Sequence, residues 1–301
     1  MMTYEEAVLE LRRDPRYAAL LRDAYLEGNP AAGAARFAAS AEFKEIRTIA
    51  GNRLAGGIVV DVGAGTGIAT YAFAVSGASL VYAVEPDPSD EVGRGAIARA
   101  CAGLEQVRLL DFWGESMPIA DGTADIVYAR QVLHHARDLD ELVAECARVL
   151  KPGGLFLACR EHVVDDERQL RAFLQSHPIH RLAGCEGAFP LGCYEAAIER
   201  ARLRLRRILG PWDSVINAFP AARSENDLQQ RHRQALRSRL GPLAGPIAGI
   251  PLVKTVLNRL LDAKAQAVPG RLYTFVAVKP IPPDRGGTIP PARGDTGTER
   301  W

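Results

Sequence analysis

The stretch Val59-Val60-Asp61-Val62-Gly63-Ala64-Gly65-Thr66-Gly67 decides the fold. A short apolar run enters a turn with glycine at every second position, and helical patterning follows over 67–76. An apolar run bounded by glycines reads as a buried parallel strand. Similar runs recur at Leu80–Val84, Val107–Leu110, Ile126–Ala129 and Leu155–Cys159. Helical patterning fills the gaps over 89–102 and 138–150, and Lys151-Pro152-Gly153-Gly154 stops a helix and turns into the next strand. Strands alternating with helices predict right-handed crossovers, hence an α/β fold with a parallel sheet and helices on both faces.

The turn carries chemistry as well as topology. Glycines let the backbone approach a ligand, and the following helix N-terminus offers unpaired N–H groups. The next predicted strand ends in Val84-Glu85-Pro86-Asp87. A carboxylate there can accept both hydroxyls of a ribose. Two nucleoside ligands fit such a site. A dinucleotide reader shows G-x-G-x-x-G with the pyrophosphate on the helix. Here the spacing is G-x-G-x-G, and Asp61 stands two residues before the first glycine. A carboxylate so placed repels a diphosphate and favours a ligand with an ammonium and a sulfonium. The electrostatics therefore favour S-adenosylmethionine over NAD.

Five ordered pieces now give a likeness. Val60–Gly67, Ala83–Asp87, Glu115–Val127, Val132–His135 and Arg148–Gly154 together resemble the class I S-adenosylmethionine-dependent methyltransferases. The likeness covers roughly 55–160 and is to the small-molecule type related to ubiquinone-biosynthesis methyltransferases. It implies a Rossmann-like, seven-stranded, mostly parallel sheet with an antiparallel last strand. Tyr273–Val278 is assigned to that strand and Arg202–Leu209 to its neighbour.

The resemblance also implies a cofactor set: Asp61, Gly63, Ala64, Gly65, Gly67, Glu85, Pro86, Asp111, Trp113, Gly114 and Arg130. The glycines would wrap the methionine part of S-adenosylmethionine. Asp61 would order the loop and the amino group, Glu85 would hold the ribose hydroxyls, and Pro86 with Asp87 would line the adenine. One position departs from the family. Where an Asp usually meets the adenine amino group, this chain has Trp113, and the nearest Asp is Asp111. Either Asp111 reaches the adenine, or Trp113 stacks on it, or Trp113 is plain packing.

Of six histidines, His134, His135, His162, His177 and His180 fall in one stretch. His134 and His135 follow the fourth predicted strand, and Arg160-Glu161-His162 follows the fifth. Ligands in open α/β sheets bind outside the carboxyl ends of the strands. Imidazole suits a general base at neutral pH. The candidate catalytic residues are thus His162, His135 and Glu161, with a loop-ordering role as the alternative for the His134-His135 pair. His177 and His180, with Glu161, Cys185 and Glu186, could be read as metal ligands, but convergence of three or four is not visible in a sequence. No metal is assigned.

Composition bounds the rest. The chain has 301 residues, 37 basic and 36 acidic, with apolar and charged fractions of 48% and 24%. That balance is ordinary for a soluble globular protein, and near-zero net charge argues against a nucleic-acid binder. No apolar run reaches a membrane span, and the mixed, acidic N-terminus lacks the pattern of a signal peptide. Five scattered cysteines without a C-x-x-C pair fit free thiols and a cytoplasmic setting. The expected organisation is a helical N-terminal lid over 1–54, a methyltransferase domain over 55–212 and 269–280, a helical insertion over 213–268 and a disordered tail over 281–301. The insertion would shape the acceptor pocket or form a homodimer face. A turn-rich loop from Ser176 to Phe189 is expected over the site. The expected partner is a small-molecule acceptor methylated at oxygen; the alternative is a binding protein that keeps the fold without turnover.

Overall fold

The computed structural model describes residues 2–184, 187–240, 253 and 268–282. Its centre is a seven-stranded sheet of β1 (Ile58–Val62), β2 (Leu80–Val84), β3 (Val107–Leu110), β4 (Ala124–Arg130), β5 (Leu150–Val163), β6 (Arg204–Leu209) and β7 (Arg271–Val278). The strand order is β3-β2-β1-β4-β5-β7-β6, and β7 alone runs antiparallel, between β5 and β6. The first three strands fall on the predicted residues. β5 is longer than predicted, because its two ends also pair: Leu150 with Ala124 and Val163 with Arg271.

Both faces of the sheet are covered, as period-two alternation along parallel strands requires. Val59, Val81, Ile126 and Leu157 face one core with Phe37, Phe43 and Phe73. Val60, Val62, Val127 and Phe156 face the other with Leu142, Tyr194 and Phe275. Phe43 and Phe73 are fully buried, ring centroids 5.3 Å apart at 75°. Burial of each such ring contributes about 1.5–3 kcal/mol.

The crossover helices are α5 (Ile68–Val75), α6 (Arg94–Ala100) and α7 (Leu139–Val149). α6 is shorter than the predicted 89–102: Ser89 and Arg94 donate backbone N–H bonds back to Asp87, so the chain turns before helix starts. The N-terminal third forms α1 (Tyr4–Arg12), α2 (Ala18–Asp23), α3 (Pro30–Ala38) and α4 (Ala41–Ala50). Within the helical lid expected over 1–54, the chain breaks between α3 and α4. Ser40 leaves helical geometry and its Oγ accepts from Phe43 N at 3.0 Å, capping α4.

The expected loop over 176–189 contains a helix. After α8 (Glu167–Ser176), α9 (Pro178–Ala183) buries Ile179 and Ala183 against Ala7, Val8 and Leu11 of α1. α10 (Leu191–Arg200) follows and packs on α7. α11 (Val215–Ala218) and α12 (Glu225–Leu240) occupy the first part of the predicted insertion. Residues 241–252 and 254–267 of the insertion, residues 283–301 of the tail, and Cys185 with Glu186 lie outside the described residues. Among the described residues no helix is long and apolar enough to cross a membrane.

Candidate active site

A cavity of about 710 Å³ opens at the carboxyl ends of β1, β2 and β4. Here the strand order reverses, and the crevice is the position expected for a ligand. Gly63, Gly65 and Gly67 all lie at positive φ, at 61°, 54° and 79°. At two of them the space is also spoken for. A Cβ on Gly63 would stand 2.6 Å from Val132 Cγ2, and one on Gly67 would stand 3.0 Å from Ile97 Cα. Gly65 differs, since a Cβ there would meet nothing closer than 4.0 Å. Its bare backbone fronts the cavity it lines.

Glu85 is fixed by the same turn. Its Oε2 accepts from Gly65 N at 2.7 Å, and its Oε1 accepts from Asp87 N at 2.9 Å. Each carboxylate oxygen therefore keeps a lone pair for a further donor. Burial raises the Glu85 carboxyl above its ordinary range, while the two amides oppose that rise. Asp61 lies deeper. Burial pushes its carboxyl up to about 7, although the Thr70 hydroxyl donates to Oδ2 at 2.6 Å. A positive ligand group beside Asp61 would return it to the ionised form. An open glycine backbone, a carboxylate with free lone pairs and a buried carboxyl short of a cation together fit S-adenosylmethionine.

The remaining predicted residues separate. Ala64, Pro86, Trp113, Gly114 and Arg130 line the cavity with Gly63, Gly65, Asp61 and Glu85, while Gly67 packs behind it on Ile97. Asp111 does not. Its side chain is 66% exposed and pairs with Arg94 at 2.5 Å. Trp113 takes the wall position, with the Arg137 guanidinium 3.6 Å from its ring centroid.

The three candidate catalytic residues also separate. His135 lines the cavity; His162 and Glu161 stand behind the wall. Glu161 is fully buried and accepts from Val132 N at 3.1 Å, His134 N at 3.2 Å and His134 Nδ1 at 2.7 Å. It therefore holds the turn that presents His135. The His134 ring lies 4.4 Å from that of His135 and 4.8 Å from that of His162. His162 Nδ1 donates to the Gly270 carbonyl at 2.7 Å, which leaves Nε2 as the acceptor for Gln131 Nε2 at 3.4 Å. Gln131 is itself a wall residue and sits at φ 57°. His177 and His180 stack at 4.4 Å on the α8–α9 side. Among the described residues no three metal-ligating side chains converge.

Sequence reading missed several contributors. Thr70 meets Asp61 from the first turn of α5. Glu42 of α4 pairs with Arg130, its Oε1 accepting from Nε at 2.7 Å. Tyr4 of α1, with Ala24 and Leu26 just after α2, closes the cavity from the N-terminal segment. The Thr70 contact carries a sequence signal, a hydroxyl one turn beyond the glycines. The others join residues far apart in the chain and carry none.

Residues 60–158 match the family model described as a methyltransferase domain. Among curated proteins the chain is similar to dimethylglycine N-methyltransferase of Parasynechococcus marenigrum (strain WH8102), 39% identical over 103 residues, 34% of this chain and 36% of that one. It is similar to demethylmenaquinone methyltransferase of Clavibacter sepedonicus, 36% identical over 110 residues, 35% of this chain and 42% of that one. These matches thus span well under half the length of either relative. Among solved structures, geranyl diphosphate methyltransferase in complex with S-adenosylmethionine superposes with a TM-score of 0.51 at 14% identity, over 83% of this chain and 85% of that one. At that identity the likeness is one of fold. Residues 60–158, which hold the glycine turn, Glu85 and Asp61, are thus similar to methyltransferase domains.

Proposed function

We propose that this protein methylates a small molecule, with oxygen as the receiving atom. One observation carries the reading: a single cavity is lined both by the glycine turn with Glu85 and by His135, Arg137, Tyr4 and Leu26. Cofactor and acceptor would share it. Its volume of about 710 Å³ falls inside the roughly 300–1,000 Å³ of small-molecule sites. The net charge of +1 gives no support to a nucleic-acid acceptor.

Bound S-adenosylmethionine would supply an electrophilic methyl on sulfur. The residues of the chain do the rest. Glu85 orients the ribose through the lone pairs that Gly65 and Asp87 leave open. Asp61 offers a carboxylate to the ammonium. Tyr4, Leu26 and Val92 exclude water, which strengthens these polar contacts and suppresses hydrolysis. A hydroxyl acceptor must shed a proton, and His135 is the imidazole in the wall to take it. His162 acts through Gln131, and Glu161 acts through the turn at 132–134, so both are positioning residues. Holding acceptor and methyl in line supplies much of the acceleration. The dimethylglycine relative is named for methylation at nitrogen, and a tertiary amine would need no base.

Calorimetric titration with S-adenosylmethionine, S-adenosylhomocysteine and NAD tests the cofactor half. Micromolar binding of the first two, and none of NAD, is expected. Methyl-labelled cofactor offered to hydroxylated and to amine acceptors tests the rest. Turnover on hydroxyl acceptors that falls at acid pH is expected. Turnover confined to tertiary amines would replace oxygen with nitrogen, and binding without turnover on any acceptor would leave a non-catalytic binding protein.

A further inference from the structure

Arg130 ends β4, and Arg160 stands three residues before the end of neighbouring β5. Arg130 of β4 pairs in register with Cys159 of β5, and Arg160 is the next residue, at φ 60° beside the bulge between Ala158 and Glu161. Both guanidinium groups are buried, Arg160 to 6% exposure. Their charges act on each other and on Glu42, the carboxylate that Arg130 holds with two nitrogens. Two buried cations thus face one carboxylate.

Arg160 is the one left short. Among the described residues Arg130 pairs with Glu42 and buried Arg271 with Asp165, but Arg160 makes no ion pair. Its Nη1 donates to the carbonyls of Ile216 and Phe219. Its Nε is buried with no hydrogen-bond partner. Burial, helped by the Arg130 charge and opposed by Glu42, pulls the Arg160 guanidinium down to about 10. Buried donors without partners are rare, and an uncompensated buried charge is strongly unfavourable.

A second cavity, about 290 Å³, lies on this side of the molecule. Tyr25, Arg36, Ser40, Glu42 and Phe219 line it. Phe219 carries one of the carbonyls that hold Arg160, and the guanidinium carbon of Arg160 is 5.7 Å from its ring centroid. Side chains that pair with each other divide the two cavities, and Arg160 itself lines neither. Arg130 lines the main cavity and Glu42 the second, while Tyr25 lines the second and its neighbours Ala24 and Leu26 line the main one.

We propose that this partition is an anion-receiving subsite, so that the acceptor is an anionic small molecule whose carboxylate or phosphate pairs with Arg160 beside Arg130. The planar fork of a guanidinium matches either oxyanion. The acceptor part of this inference rests on the methyltransferase reading; the anion site itself does not.

The test uses the full chain saturated with S-adenosylhomocysteine. Sodium formate and sodium phosphate are titrated separately against sodium chloride at matched ionic strength. Saturable binding of one oxyanion beyond chloride is expected; formate would assign a carboxylate and phosphate a phosphoryl group. Arg160→Gln should weaken it at least tenfold. Glu42→Gln removes the competing carboxylate and should strengthen it several-fold, and this arm decides if Arg160→Gln fails to fold. No saturable response, or equal affinity in wild type and Glu42→Gln, overturns the proposal. A parallel titration with S-adenosylmethionine alone reports on the cofactor, so failure of the methyltransferase reading shows separately. With labelled cofactor, hydroxylated acids should exceed their neutral amides at least tenfold in kcat/KM, and equal turnover would overturn the substrate class.

Discussion

The two halves of the cavity are built differently. At the ends of β1 and β2 the backbone makes the site. Glycines at positive φ, a carboxylate pinned by two amides and a buried Asp61 all lie within 61–87. At the ends of β4 and β5 side chains from distant segments make it. Arg130 meets Glu42 across 88 positions, Glu161 ties a turn 27 to 29 positions away, and Arg160 reaches carbonyls 56 and 59 positions on. A backbone-made site is set by a few neighbouring residues and tolerates little change. A side-chain-made site can be rebuilt one residue at a time, which is how one fold takes many acceptors.

The largest expected effect falls in the second half. His135→Ala should lower turnover by roughly 10²–10⁴-fold, the range of a lost general base, while cofactor affinity stays within a few-fold. His162→Ala should cost less and leave the acid limb of the pH–rate profile in place. A loss of that limb in His162→Ala, and not in His135→Ala, would reverse their roles.

In the first half, Gly63→Ala combines a 2.6 Å clash with Val132 and a left-handed backbone. Cofactor affinity should fall at least tenfold, with a lower thermal midpoint. Unchanged binding would mean that the turn is softer than its packing. Glu85→Ala follows, at roughly ten- to a hundredfold by calorimetry, since hydrogen bonds to a charged group contribute about 1.5–3 kcal/mol. Trp113→Ala and Asp111→Ala sharpen the comparison further. The first should weaken binding several-fold and the second by less than twofold, because Asp111 is spent on Arg94 outside the cavity.

A pH slope is expected as well. Asp61 titrates near 7 in the folded chain against an ordinary 3.8. Between those values the folded state holds a proton that the unfolded state has lost, so stability falls as pH rises through this window and levels off above about 7. Asp61→Asn should flatten that slope in denaturant titrations. Affinity for a cationic cofactor should run the other way, several-fold stronger at pH 8 than at pH 6. A pH-independent affinity would remove Asp61 from the ammonium site.

How far the sequence could be read follows the same division. β1, β2 and β3 fall where the apolar runs lie, because a strand buried on both faces must be apolar throughout. Helix limits were less legible. Ser40 breaks the expected helical lid and the Asp87 turn shortens an expected helix, and both are local hydrogen bonds that compete with helix. Part of the loop expected over 176–189 is helix, Pro178–Ala183, because α1 offers α9 an apolar face.

The sequence by itself determined the doubly wound sheet, the glycine turn and the carboxylate at the end of β2, since each needs only residues adjacent in the chain or one crossover apart. Only the tertiary structure decided that Trp113 and not Asp111 lines the wall, that His135 and not His162 faces the cavity, and that Glu42 answers Arg130 while Arg160 goes unanswered. Those outcomes depend on which buried charges meet when helices from the N-terminal third dock on the strand ends. Spacing along the chain carries no record of that encounter.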